Sequence, residues 1–456
     1  TSTNYAPIPA LSTPAQILKT TEKTNGNESN QLSIGMKLAD NLESGNYMNK
    51  LLISVVSNSY YPKAILTDGL DFNNKLRTLE GDTTDKIEHF KKSSTPPATT
   101  TNVLNVEDED SDYEIKLWLD TTDKTAYYYA ITEKVYLNEN SSGMFSSYLT
   151  DNKLKNILDI DFANFNTSRT TNMGYMFFGM SSLTSLNLSN FDTSKVTNMS
   201  DMFDGMSNLT TLNLSNFDTS QVTIMSGMFK GMSNLTSLNI SNFNTSNVTD
   251  MSLMFAETHK LKTLNLGRMN TSRVTSMEKM FNNMWALENL DVSSFDTSNV
   301  TTMKEMFSGI TKITTLNLNN FNTSKVTDMS NMFNSMLAIE NLSLPSFDTR
   351  KVTTMRSMFA TMEGLKNLNI SSFNTSSVRD FRYMFGLGDV QNYGYNQIDH
   401  LEHIYASKKF VISAMETGGA DGIFYRRPSL TVGAGCTYVS GTGNPFCIGS
   451  TWVVIP

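Results

Sequence analysis

The sequence predicts a solenoid with a parallel β-sheet on one side, short helices on the other and β-rich caps at both ends. Three observations predict it. Met-Phe pairs begin at Met176, Met202, Met228, Met254, Met280, Met306, Met332, Met358 and Met384, an unbroken 26-residue interval over nine copies. A second column runs Phe165, Phe191, Phe217, Phe243, Phe295, Phe321, Phe347 and Phe373, with Met269 in the one gap. Leucine holds a third column, from Leu186 to Leu368. A strict period of this length means units that stack, each burying against its neighbours a face that it cannot bury alone.

One unit runs from Leu183 to Met206, LTSLNLSNFDTSKVTNMSDMFDGM. Leu186 and Leu188 alternate around Asn187, as on one face of a short strand. Nine such strands in parallel, ~4.8 Å apart, give a face about 40 Å long. Phe191 closes the buried side. Asp192 or its Asn equivalents begin a turn in which an Asx side chain bonds the backbone. Met199, Met202, Phe203 and Met206 stand at i, i+3, i+4 and i+7, the face of a two-turn helix that Thr197 or Asn198 would cap. Val196 and Leu209 fill its ends. The three helix columns hold 23 of the 28 Met. At core spacing and interleaved with Phe, these thioethers read as flexible core filler rather than copper(I) ligands.

The flanks differ in composition. Residues 1–35, polar and punctuated by Pro7, Pro9 and Pro14, read as extended or disordered. Residues 36–110 read as a small α+β unit with a linker, SSTPPATTT, from Ser93 to Thr101. Residues 111–156 read as a β-rich N-terminal cap built from EIKLWLD, TAYYYAI and KVYLN. Residues 157–390 are the repeats. Residues 391–456 read as a β-structured C-terminal cap. Caps are required because end coils would otherwise expose core. Cys436 and Cys447 bracket TYVSGTGNPF between two strand-like runs. In a secreted protein they read as a disulfide across a hairpin, and in a reducing compartment as two thiols.

Charge narrows the function. The net charge is -8, and residues 1–145 carry 13 Lys+Arg against 20 Asp+Glu. Nucleic acid, which needs a clustered basic surface, is not an expected partner. The longest apolar run, Leu51 to Val56, is too short to cross a bilayer. The chain starts at Thr1 and shows no signal peptide, lipid-accepting Cys or LPxTG motif, so as given it reads as soluble.

The phrase from Asn187 to Phe203, repeated from Asn213 to Phe229 and from Asn317 to Phe333, resembles the NLSNFDTSKVTNMSDMF-type repeats of BspA-like leucine-rich repeat surface proteins. The lead-in Val135 to Phe145, VYLNENSSGMF, resembles the approach to the first repeat in such proteins. The resemblance covers roughly residues 133–390. It implies a leucine-rich-repeat-like solenoid and a secreted or surface-displayed bacterial protein acting in adhesion and host interaction. One departure stands in the column of Met206, where the family often carries Cys and this chain reads GMSNL.

Comparison of the copies locates candidate surfaces. On the exposed strand face, the column of Asn187 is Asn in six of eight copies, with Asp291 and Ser343 as exceptions. That reads as a solvated ladder, with Asn bonded to Asn, rather than a ligand face rich in aromatic and Arg anchors. The column after the Thr-Ser turn is basic at Arg169, Lys195, Arg273, Lys325 and Lys351. It forms a cationic stripe on which an anionic polymer could run, or a solvated edge. Trp285, which replaces the Ser of the first copies at its column, is either an exposed contact anchor or folded over the core.

Catalytic sets are missing. Asp108, Asp110 and Asp112 match an EF-hand at positions 1, 3 and 5, but Tyr113 replaces the required Gly and Leu119 the bidentate Glu. Asp399, His400, Glu402 and His403 cluster without the H-E-x-x-H spacing. No nucleophile set, phosphate loop or dinucleotide fingerprint is legible. The expectation is a non-catalytic adhesin without cofactor, binding a host or envelope protein or glycan. The alternative is a structural subunit of a surface fibre or layer, self-associating through residues 1–35 and the terminal sheet edges.

Overall fold

A computed structural model describes residues 61–427, apart from 82–85, 148–152, 268, 388–398, 408, 412–413, 417 and 420. The chain forms two units, Thr1–Tyr60 and Tyr61–Pro456, and the described residues all belong to the second. The expected extension over 1–35 and the Cys436–Cys447 hairpin lie outside them.

The described part opens with β1 (Ala64–Ile65) and α1 (Gly69–Glu80). Asp68 caps α1, its carboxylate accepting from the Leu70 and Asp71 amides. Gly81, at φ 61°, ends it in the left-handed region that favours glycine. Phe72 and Leu76, one helical turn apart, face the core. Then come β2 (His89–Lys92), β3 (Leu104–Asn105), β4 (Lys116–Asp120), β5 (Thr125–Tyr129), β6 (Val135–Tyr136) and β7 (Asp159–Ile160). A five-stranded sheet has the order β3-β4-β5-β2-β7, antiparallel across β3-β4-β5 and parallel from β5 through β7. Residues before and after position 110 therefore share one sheet, and the SSTPPATTT stretch joins two of its strands. The three strand-like runs are β4, β5 and β6. The last leaves the hairpin and pairs in parallel with β1 and with β8 (Phe165–Asn166).

From there the chain winds in stacked coils. Parallel bridges link Asn140, Asn172, Asn198, Ile224, Asp250, Ser276, Thr302, Asp328, Thr354 and Asp380 in succession. On the leucine side, β9 (Thr211–Leu212) pairs with β10 (Ser237–Leu238). Further along, β11 (Asn341–Ser343) pairs with β12 (Asn367–Ile370), and β12 with β13 (His403–Ala406). Single parallel bridges, Asn239 to Asn265 and Thr263 to Asn289, carry that pairing into the middle coils. The sheet expected there is present as short parallel pieces.

The expected short helices are not formed: among the described residues α1 is the one α-helix. The Met-Met-Phe segment is a run of turns. Met202 N–H bonds the Met199 carbonyl at 3.4 Å and Met206 N–H the Phe203 carbonyl at 3.3 Å. The intervening amides of Met199, Asp201, Phe203 and Gly205 reach the next coil, at the carbonyls of Ile224, Ser226, Met228 and Lys230. Two left-handed residues per coil make this geometry. Asp201 (φ 50°) and Gly205 (φ 74°) recur as Lys279 and Asn283, and as Asn331 and Ser335. A helix cannot hold such residues every fourth position, and its i→i−4 bonds would consume the donors that join the coils. Asn198 accepts from the Ser200 amide at 2.9 Å, closing an Asx turn rather than capping a helix.

One apolar core runs from Ala64 to Phe424. Its axis is a file of stacked rings: Phe145, Phe177, Phe203, Phe229, Phe255, Phe281, Phe307, Phe333, Phe359, Phe385 and Phe424, with centroids 5.1–6.2 Å apart. Leu188, Phe191, Val196, Met199, Met202, Phe203 and Met206 are buried, and Leu186 packs against them partly exposed. The file ends on residues from irregular coils. Phe145 belongs to the lead-in, whose Gly143 and Phe145 amides bond the carbonyls of Gly174 and Met176. Phe424 belongs to a terminal coil that accepts from Phe381, Tyr383 and Phe385 at Gly419, Asp421 and Ile423.

Two polar columns lock the coils. Thr193 Oγ1 donates to the Asp218 carbonyl at 2.9 Å and accepts the Asp218 amide at 2.8 Å. Thr167, Thr219, Thr245, Thr271, Thr297, Thr323, Thr349 and Thr375 make the same two-way clamp, and all are buried. Asn216 Nδ2 donates to the carbonyls of Leu188 and Phe191 one coil back, as do Asn190, Asn242 and Asn320 at their own positions. Each clamp satisfies backbone groups that burial would otherwise leave unpaired.

Candidate binding surface

The strand face is polar and shallow. A concavity of about 310 Å³ lies over Thr211, Leu212, Asn213, Ser237, Leu238, Asn239 and Thr263, with no charged side chain in its lining. The Asn187 column does not bond along the stack. Asn187, Asn213, Asn239 and Asn317 each accept the amide two residues on, at 3.1 Å. Asp291 does the same for Ser293. The exception explains itself: Ser343 stands two residues before Pro345, which has no N–H to satisfy. Ladder bonding occurs two positions earlier, where Asn367 Nδ2 donates to Asn341 Oδ1 at 2.8 Å.

The basic stripe is in register, and part of its charge is engaged. Arg169 lies 3.6 Å from Glu139. Arg273 donates to Asn247 and Lys325 to Asn299, each one coil back. Lys195 and Lys351 are exposed. The turn beside the stripe holds Asp192, Asp296 and Asp348, whose carboxylates accept from Ser194, Ser298 and Arg350 and so stay below the usual carboxylate range. Acidic groups thus accompany the cations.

Trp285 is 50% exposed. It does not fold over the core: its indole stacks on the His259 imidazole, centroids 3.8 Å apart and planes within 9°. Burial holds the His259 ring below its ordinary pKa, against the pull of Glu257.

The metal candidates are dispersed. Asp108 accepts from the Asp110 amide and Asn138 Nδ2, and Asp112 from the Lys63 amide. Asp399 turns inward to a buried pair with Arg427 at 2.9 Å, while His403 faces outward to Asn367. Among the described residues no three His, Cys, Asp or Glu side chains converge on a metal position.

One half-buried ion pair has a pH signature. Lys230 Nζ lies 2.9 Å from Asp204 Oδ2 one coil back. Burial pushes the Asp204 carboxyl from its ordinary 3.8 up to about 6, with Asp201 and Glu257 adding to the rise against the pull of Lys230. Lys230 is raised, because three carboxylates face it and it is less deeply buried than its partner. A carboxyl raised on folding opposes stability above its folded pKa. That cost disappears as pH falls from about 6 toward 4. In urea melts, Lys230→Met should cost about 3 kcal/mol at pH 7.5 and less at pH 5, because it strands a buried carboxylate. Asp204→Asn should cost under about 1 kcal/mol at pH 7.5 and flatten the rise on acidification. Equal losses at both pH values would contradict this assignment.

Four overlapping segments, residues 139–263, 200–315, 225–340 and 303–411, match the family described as "Mycoplasma protein of unknown function, DUF285", together more than half of the chain. The chain belongs to that family. The span matched by the DUF285 family starts one residue before Asn140, the first rung of the bridge ladder, and ends at Val411, the partner of the last Thr clamp. No curated protein matches the chain significantly. A solved structure described as "Functional domain of InlJ from Listeria monocytogenes includes a cysteine ladder" aligns at 14% identity and a TM-score of 0.18. The alignment covers 62% of this chain and 63% of that one, under two thirds of its length. No helix among the described residues is long and apolar enough to cross a membrane.

Proposed function

We propose that this chain acts by binding: a non-catalytic adhesin, secreted or displayed at the cell surface, built on a leucine-rich-repeat-like solenoid of the BspA-like kind. One observation carries the reading. The groups that recur through the coils, Phe and Met inside and Thr between coils, joined by Asn in four of them, are consumed in holding the stack together. What varies from coil to coil is the exposed positions, held at even spacing on a rigid frame. A frame of that kind presents side chains in fixed register to an extended partner. The partner on this reading is a host or envelope protein or glycan, met without cofactor. Purified full-length chain applied to host-cell monolayers and to glycan arrays tests it. Saturable binding that free chain competes away is the expected result; no binding to either would contradict it.

A further inference from the structure

We infer that Trp285 and the lysines around it form a binding site for an acidic sugar ring, which deepens the surface-binding reading and rests on it. The site occupies one exposed position in successive coils. That position is Ser181, Ser207 and Ser233 in the first coils, then His259, Trp285, Thr311 and Leu337. The His259 imidazole covers one face of the indole. The other face looks along the stack over Thr311, whose hydroxyl donates to the Trp285 carbonyl at 2.9 Å and so turns toward the backbone. The next side chain in the file, Leu337, is two coils from Trp285, ~10 Å at ordinary strand spacing. A single sugar ring stacked on that face lies over Thr311, between indole and leucine. The imidazole backing fixes the indole plane before any ligand arrives, so little rotamer freedom is lost on binding.

Charge selects the ligand. Lys260, Lys262 and Lys312 are exposed on the coils of His259 and Thr311. None forms an ion pair with another described residue, in contrast to Lys230, Lys304 and Lys366. Against these three lysines stand two carboxylates, Glu288 on the Trp285 coil and Glu257, which acts on His259. A local excess of cations on a chain of net charge -8 attracts anions. A pyranose offers a C–H face to the indole and a carboxylate or sulfate at its rim to the ammonium groups. A neutral sugar satisfies only the indole, and an acidic peptide only the lysines.

Titration calorimetry of the full chain with hyaluronan and chondroitin sulfate hexasaccharides tests this. Maltohexaose and a hexaglutamate peptide are the controls. At least one acidic hexasaccharide should bind. Trp285→Ser should weaken it about tenfold or more, the range of a buried aromatic contact. Lys260→Asn and Lys312→Asn should each weaken it about threefold and reduce its salt dependence. Serine is native at this position in three coils, and an unchanged melting curve confirms that the variant folds. The site is overturned if neither acidic hexasaccharide binds, or if Trp285→Ser binds as tightly as the native chain. It is equally overturned if maltohexaose matches the acidic sugars, or if hexaglutamate matches them with the same dependence on Trp285. Cell or array binding that survives Trp285→Ser removes this site and leaves the surface reading standing. A chain that binds no cell and no glycan defeats that reading itself.

Discussion

Phe281→Ala is expected to destabilise the chain by about 4 kcal/mol, the range for deleting a buried ring. Phe281 is fully buried and lies between Phe255 and Phe307, with both centroids at 5.8 Å and both pairs within 7° of parallel. Alanine removes three ring contacts, Phe295 being the third, and opens a cavity whose walls are themselves rings, held by their own coils and unable to close on it. In a repeat stack, stability is close to a sum of coil terms and neighbour terms. The loss therefore falls on two junctions in the middle of the array. Urea melts followed by circular dichroism should show a lowered, broadened transition as the two halves uncouple. Phe281→Leu should cost about half as much. A loss under about 1 kcal/mol for the alanine variant would mean that the file of rings is not what joins the coils.

Thr245→Val should cost about 3 kcal/mol, although valine matches threonine in shape and is more apolar. Thr245 Oγ1 donates to the Asn270 carbonyl and accepts the Asn270 amide, both at 2.8 Å, and the residue is 2% exposed. Valine removes both bonds and leaves the partly buried Asn270 amide and carbonyl without these partners, each loss costing about 1–1.5 kcal/mol. Thr245→Ser keeps the hydroxyl and should stay within about 1 kcal/mol of the native chain. If the column were apolar filler, valine would be neutral or stabilising, so the sign of the change in urea midpoint decides the matter.

These two positions show what the sequence discloses and what it hides. The Met, Phe and Leu columns were legible because burial acts on residue type, and the type recurs every 26 residues. The turn segment reads as a helix because i, i+3, i+4 and i+7 spacing lines up one face of a helix and one face of a run of turns alike. What separates them is backbone sign at residues such as Leu253, Lys279 and Glu305, which sit at φ 55–60°. Those residue types seldom adopt that conformation, so nothing in their identity announced it. Gly227 is the clear local sign. At φ +60° its Cα lies under Asp201, and a Cβ there would meet that carboxylate at 2.0 Å.

The polar columns were visible as recurrence and opaque as mechanism. Threonine in F-D-T-S looked like a turn residue, because its partner lies 25 positions on, in the next coil. Asn187 was expected to bond along the stack and instead closes its own turn. Ser343 before Pro345 was the available sign, since the one copy without an amide to satisfy is a copy without the Asn. For Trp285 a sign was also available. His259 stands one repeat earlier in the same column, so their stacking follows from the period alone.

Native-state amide hydrogen exchange is the most direct test of coils joined side by side at the 26-residue register. The amides of Met199, Asp201, Phe203 and Gly205, which cross to the next coil at 2.8–3.1 Å, should be strongly protected, and so should their equivalents in each later coil. The amides between them, Met202, Asp204 and Met206, make longer bonds within the turn and should exchange faster. An alternating pattern repeated coil after coil is the predicted result. An unbroken run of protection through each Met-Phe segment, as a helix would give, or no protection there at all, would contradict it.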